Sequence, residues 1–168
     1  MAEVLDKDYV TPQVALRKAF SMFPTGVVAV CALEEGQPVG MAVNSFSSVS
    51  LDPALVSVCM AHTSSTWPRL EALPRIGLSV LGSHQEMLSR RLSSKASDRF
   101  DSASWEANDL GAIFIDGATL WLECSVSATI PGGDHSIVLL EVHSSRLFPE
   151  IAPLVFHRSQ YMGLPVAP

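Results

Sequence analysis

The sequence predicts a mainly β domain, a barrel or sandwich of antiparallel strands with a few short helices. Three observations carry this reading. Short apolar, β-branched runs recur at hairpin distance along most of the chain. Strands and helices do not alternate regularly, which argues against a doubly wound parallel sheet. The 168 residues make one ordinary domain, long enough to bury roughly 70% of the unfolded surface without disulfides or metal. A single domain over residues 1–168 is expected, with its core between about 12 and 164.

The elements follow in chain order. Thr11-Pro12 reads as a helix start, because Thr caps well and Pro already has helical φ at the first position. Val14, Leu16, Ala19, Phe20 and Met22-Phe23 continue at helical spacing, and Pro24 ends the helix. Val27 to Leu33 is an apolar run without polar interruption and reads as a buried strand. Glu34-Glu35-Gly36-Gln37 turns the chain back into a strand from Pro38 to Val43. A serine-rich stretch, Asn44 to Pro53, precedes the strand Ala54 to Met60. The polar loop His62 to Thr66 enters a short helix with Trp67, Leu70 and Leu73, stopped by Pro74. Ile76 to Leu81 is a further strand. Ser83 and Glu86 have the spacing of a capping box at the start of a helix carrying Met87, Leu88, Arg91 and Leu92. Ser93 to Trp105 reads as polar loop with a helical turn. Two long strands, Ala118 to Ile130 and Ser136 to Phe148, flank a bend at Pro131 to His135, and Pro153 to Phe156 is the last short strand.

Composition narrows the function classes. Hydrophobic residues make up 48% and charged residues 17%, against a usual charged share of about 25%. So few charges leave too little polar surface to cover a small domain, and a large buried subunit interface is expected. The net charge of -6 argues against a nucleic-acid partner, although backbone N–H groups still allow a local anion site. Cys31, Cys59 and Cys124 each sit in an apolar run without a metal-spaced neighbour and read as small buried hydrophobes. An odd cysteine count and an N-terminus without a secretory pattern point to the cytoplasm, and no apolar run approaches a membrane span. Trp67, Trp105 and Trp121 read as core or interface aromatics.

Most sequence signatures of catalysis are absent. There is no GxGxxG after a strand, no GxxxxGK[ST], no HExxH and no GxSxG, and five histidines lie far apart without metal spacing. The informative segment is Asn44 to Pro53. Its hydroxyls stand where a plain barrel carries alternating hydrophobes. Two readings fit: small polar side chains that let a flat ligand approach the backbone, or a serine-rich edge strand or loop.

The segment does not stand alone. Phe23-Pro24-Thr25-Gly26-Val27, Gly40 to Pro53, Ser64-Ser65-Thr66, Leu88-Ser89-Arg90-Arg91, Asp98-Arg99-Phe100, Trp121 to Cys124, Gly133 to Ile137, Pro153 to Phe156 and Tyr161 together resemble the flavin reductase family. These are small split-barrel enzymes that supply reduced flavin to a separate monooxygenase. The string from Asn44 to Pro53 is the most specific piece, and Gly133-Asp134-His135 reinforces it. The chain departs from the family pattern at Met41 and Val43, beside the Asn-Ser pair, and at Asp52-Pro53-Ala54.

The resemblance implies an antiparallel split β-barrel and NAD(P)H:flavin oxidoreductase activity, with FAD or FMN as flavin and NADH or NADPH as donor. Flavin does the difficult chemistry, so no general base, nucleophile or metal is required. It also implies a homodimer, with both subunits bordering the flavin, and an oxygenase component that receives the reduced flavin. Val43, Asn44, Ser45, Phe46, Ser47, Ser48 and Ser50 would run along the flavin ring and ribityl chain. Ser64, Ser65 and Thr66 match the family's phosphate-binding hydroxyls, or one of them simply caps the helix that follows. Arg90, Arg91 and Arg99 are the cations proposed for the phosphate, against ordinary solvated surface. His135 would seat the nicotinamide, with Asp134 orienting the bend, and Tyr161 would shield the pocket. A flavoprotein that holds its flavin tightly and shuttles electrons without NAD(P)H, and a non-catalytic β-barrel adaptor, are the rival readings.

Overall fold

The computed structural model describes residues 13–165, so Thr11 and Pro12 lie outside the described residues. Helix α1 spans Gln13–Phe20. Strands β1 (Thr25–Gly26), β2 (Val28–Glu34), β3 (Gln37–Val43), β4 (Ser47–Leu51) and β5 (Ala54–Ala61) follow, then α2 (Trp67–Glu71), β6 (Ile76–Val80) and α3 (Glu86–Leu92). The chain continues through β7 (Trp105–Ala107), β8 (Ile113–Ile115), β9 (Leu120–Gly132), β10 (His135–Leu147), β11 (Leu154–His157) and β12 (Gln160–Gly163). Seven strands form one antiparallel sheet in the order β3-β2-β6-β9-β10-β5-β4. Smaller sheets, β1-β11-β12 and β7-β8, complete the mainly β fold.

Strand β2 shows why the apolar run at its start is uninterrupted. Val28, Val30 and Ala32 point into one core cluster, whereas Val27, Ala29 and Cys31 point into another. Successive side chains of a strand face opposite ways, so both faces of this stretch are buried. The first cluster gathers Val39 of β3, Val56, Val58 and Met60 of β5, Ile76 and Leu78 of β6, and Val138 and Leu140 of β10. Strands from both ends of the sheet meet on one core, so the sheet curls round it as an open, split barrel. The second cluster adds Leu88 and Leu92 of α3, Ile113 and Ile115 of β8, and Leu154 of β11.

Several expectations are corrected. There is no capping box at Ser83: Gln85 precedes α3, and its Oε1 accepts from the Gly82 N–H at 2.8 Å while its Nε2 donates to the Asp116 carbonyl at 2.7 Å. Tertiary contacts of a buried glutamine replace the local motif. The bend at 131–135 shrinks to Gly133-Asp134, because Pro131 and Gly132 still pair with Ser136 and His135. Gly133 takes φ +74°, which suits glycine in a tight two-residue turn. Strands β7, β8 and β12 were not read from the sequence; β8 is only three residues long and has no periodicity to detect. Cys31 and Cys124 are buried, whereas Cys59 is half-buried.

Candidate functional site

Three adjoining hollows follow β3. The first, of about 280 Å³, is lined by Val27, Ala42, Val43, Asn44, Ser89, Ser93, Phe156 and Tyr161. The second, of about 230 Å³, shares Ala42 and Ser93 with it and adds Met41, Ala61 and the loop 63–66. The third, of about 550 Å³, shares Ser65, Thr66, Lys95 and Arg99 with the second. The result is a groove with an aromatic, mostly apolar end and a cationic end.

The cationic end is held by Arg99. Its Nη1 donates to the Gly40 carbonyl at 3.1 Å and to Thr66 Oγ1 at 2.9 Å, and its Nε donates to the Ala96 carbonyl at 3.1 Å. All three acceptors are neutral, and among the described residues Arg99 makes no ion pair. A positioned, uncompensated guanidinium attracts an anion. Thr66 is buried and accepts from Arg99, so its own hydroxyl proton is free to donate. Ser64 does the capping work instead: its Oγ accepts from the Trp67 N–H at 3.0 Å, while Thr66, directly before α2, makes no side-chain cap bond. Ser65 is exposed in the groove. With only five residues in α2, the positive potential here belongs to Arg99 and Lys95 rather than to a helix dipole.

At the other end, Val43 and Asn44 line the first hollow with Tyr161. The Tyr161 hydroxyl and Ser89 Oγ are 3.0 Å apart, and the ring packs on Phe156 with centroids at 5.0 Å. Arg90 lies over the Tyr161 ring, 4.8 Å from its centroid, and is paired with Glu86 at 2.8 Å. Arg90 therefore braces the outside of Tyr161 rather than lining the groove, and Arg91 does not line it either. Ser45 spends its hydroxyl on β5, accepting from the Cys59 N–H at 2.8 Å and donating to its carbonyl at 3.3 Å. Phe46 packs partly on the first core cluster. Ser47, Ser48 and Ser50 lie on β4, the outermost strand of the sheet, paired to β5. Of the serine-rich segment, then, Asn44 reaches the groove and the later serines form a sheet edge.

Asp134 and His135, in the β9–β10 turn, line none of the three hollows, and the turn adjoins the groove through Ala61 of β5. His135 pairs with Ala61 across β5, and the His62 N–H donates to the Asp134 carbonyl at 3.0 Å. His135 Nδ1 and Asp134 Oδ1 are 2.7 Å apart. That bond holds the Asp134 carboxyl below the usual carboxylate range. An ionised carboxylate accepts, so Nδ1 carries the proton and Nε2 is left for a ligand.

Segment 93–101 supplies groove residues that the sequence reading passed over, above all Lys95 and Ser97. The signal was a lone lysine among small residues, Ser93-Ser94-Lys95-Ala96-Ser97. Such a run leaves the backbone room to wrap β3 and gives one cation to present. Among the described residues there is no cluster of metal-ligating side chains and no helix long and apolar enough to cross a membrane.

Residues 20–165 match the model of the flavin reductase like domain. The flavin-dependent monooxygenase reductase subunit HsaB of Mycobacterium tuberculosis is 34% identical over 150 residues, covering 88% of this chain and 80% of that protein. The NADH:FMN oxidoreductase of Rhodococcus erythropolis is 37% identical over 150 residues, covering 86% of this chain and 78% of that protein. The structure of the Streptomyces globisporus NADH:FAD oxidoreductase SgcE6, in complex with NAD and FAD fragments, superposes with a TM-score of 0.88 at 37% identity, covering 99% and 98% of the two chains.

Proposed function

The chain belongs to the flavin reductase-like family, and on that premise we propose that it is an NAD(P)H:flavin oxidoreductase that reduces FAD or FMN and releases the product to an oxygenase component. The single observation that carries the site assignment is the groove along β3, apolar and aromatic at Val43 and Tyr161, cationic at Lys95 and Arg99. Its donor chemistry fits a flavin: a flat ring at one end and phosphate at the other. When bound, flavin would supply the ring that takes a hydride, two electrons with one proton, from the nicotinamide and is left as the reduced anion.

The residues bind and align. The Arg99 guanidinium and the Thr66 hydroxyl would hold phosphate, with Ser65 beside them. Asn44 and the backbone at Val43 would meet the polar edge of the ring, where N–H donors favour the anionic reduced form over the oxidised one. Tyr161 and Phe156 would wall the hollow against water. His135, with Nδ1 committed to Asp134, would present Nε2 to the carboxamide of the nicotinamide and seat that ring; it moves no proton in the hydride step. Holding two rings in register is the dominant contribution the protein makes. The same reading makes the protein a cytoplasmic homodimer. Its sparse charge and exposed apolar side chains support the dimer, and its three unpaired cysteines support a reducing compartment.

A steady-state assay crossing NADH and NADPH with FMN, FAD and riboflavin tests the activity, and His135→Ala tests the seat. The variant is expected to raise the KM for the nicotinamide donor about tenfold or more, equivalent to losing roughly 1.4 kcal/mol of donor interaction, with flavin affinity unchanged. Parallel loss of donor and flavin affinity would make the Asp134-His135 turn structural only. An inactive protein that still binds flavin would instead favour an electron shuttle.

A further inference from the structure

The groove continues past Thr66 and Arg99, the residues assigned above to phosphate. Beyond Thr66, Lys95 and Arg99 it opens into the hollow of about 550 Å³, roughly twice the ring end, between the start of β3 and segment 95–101. Resting on the flavin assignment above, we propose that this outer hollow is a nucleotide chamber and that the enzyme prefers FAD to FMN.

Three features of the chamber carry the proposal. The first is charge. Lys95 and Arg99 line both the central and the outer hollow, and neither is paired with a carboxylate among the described residues. Two uncompensated cations at the junction suit a diphosphate that passes from one hollow into the next. The other arginine lining the chamber, Arg69, is already committed to Glu34. The second is the far lining. Asp101 and Gln37 stand there with Ser97. A carboxylate repels phosphate, but it accepts from ribose hydroxyls or from the amino group of adenine. An end built for a terminal phosphate alone would not carry one. The third is Phe100, which lines the chamber and lies so close to β3 that a Cβ on Gly40 would come within 2.8 Å of its ring. The ring is thereby held against the backbone, and with Pro38 it gives an otherwise mostly polar hollow an apolar patch for a purine.

The experiment measures dissociation constants for riboflavin, FMN and FAD by flavin fluorescence, on the wild-type protein and on Ser97→Trp. Ser97 is exposed and lines only the outer hollow, so the indole fills the chamber without disturbing the core; thermal unfolding without flavin checks the fold. Wild-type protein is expected to bind FAD about tenfold or more tighter than FMN. Ser97→Trp is expected to bring FAD to the affinity of FMN and to leave FMN where it was. Equal affinities for FAD and FMN in the wild type would overturn the chamber and leave the flavin reductase reading standing. So would a variant that raises the KM for NADH with both flavin affinities unchanged, which would give the hollow to the nicotinamide dinucleotide. Failure of every flavin, riboflavin included, to bind would overturn that reading and the chamber with it.

Discussion

Cys31 shows how far a single residue departs from its solution chemistry here. It is fully buried on β2, and burial pushes its thiol up to about 12. Cys124 is also pushed to about 12, by burial and then by the nearby Glu123 carboxylate. An unfolded thiol ionises near 9 and the folded one does not, so above pH 9 the unfolded chain binds fewer protons than the native one. Stability is therefore expected to fall as pH rises from about 9 towards 12, by up to ~1.4 kcal/mol per pH unit for each such thiol. Urea unfolding at pH 7 and pH 10.5 measures this, and Cys31→Ala should show a smaller alkaline loss than the wild type. An equal loss in both would mean that other groups set the alkaline limit. Asp134 works in the opposite direction: its lowered carboxyl favours the folded chain above the ordinary carboxylate range, and that contribution disappears as pH falls through its folded value. The residue types were legible from the sequence, a cysteine in an apolar run and a Gly-Asp-His turn. The partners were not. Nothing in the chain order announces that Arg99 bonds to Gly40, fifty-nine positions away, or that Tyr161 meets Ser89.

Strand β3 links the core to the groove. Gly40 faces Cys31 across the β2–β3 ladder. A Cβ at Gly40 would lie 2.5 Å from Cys31 Sγ and 2.8 Å from the end of the Phe100 ring. Cys31 is enclosed and cannot withdraw, so Gly40→Ala is expected to cost about 1–3 kcal/mol, read as a lower urea midpoint. An unchanged midpoint would mean that the Cys31 side chain and Phe100 both make room, and that this end of the core and the chamber wall are soft. Strong, long patterns were read correctly at this scale: the β2–β3 hairpin, the strand at β5, and the β9–β10 pair. The serine-rich stretch fitted two descriptions: Ser47, Ser48 and Ser50 run along an edge strand, as the second has it, while Asn44 lines the groove. The capping box failed because a local motif competes with every other hydrogen bond available, and buried Gln85 outbid it.

At the scale of the whole molecule, α1 is an element without a core. None of its eight residues is buried, although a helix that short is unstable in water without packing. Phe20 is 71% exposed and Phe23 74% exposed, with Val14 and Met22 beside them. Ile130 and Ile137, paired across the β9–β10 hairpin, are exposed as well. A second copy of the chain is the proposed cover. Light scattering is expected to give twice the 18.1 kDa of one chain, and the double variant Phe20→Ser/Phe23→Ser is expected to shift the protein towards monomer and lower its melting temperature. A wild-type monomer at micromolar concentration would sink the dimer.

By itself the sequence determined the fold class and the family, because strand periodicity, turn residues and a long motif string are all local properties of the chain. Only the tertiary structure decided which of the candidate residues share a groove. It brought Asn44, Thr66 and Arg99 along β3, left Arg90 outside on Tyr161, and enlisted Lys95 from a stretch that reads as featureless loop. A binding groove is made by backbone segments far apart in the chain meeting across a curled sheet, and that meeting is set by how the sheet rolls around its core.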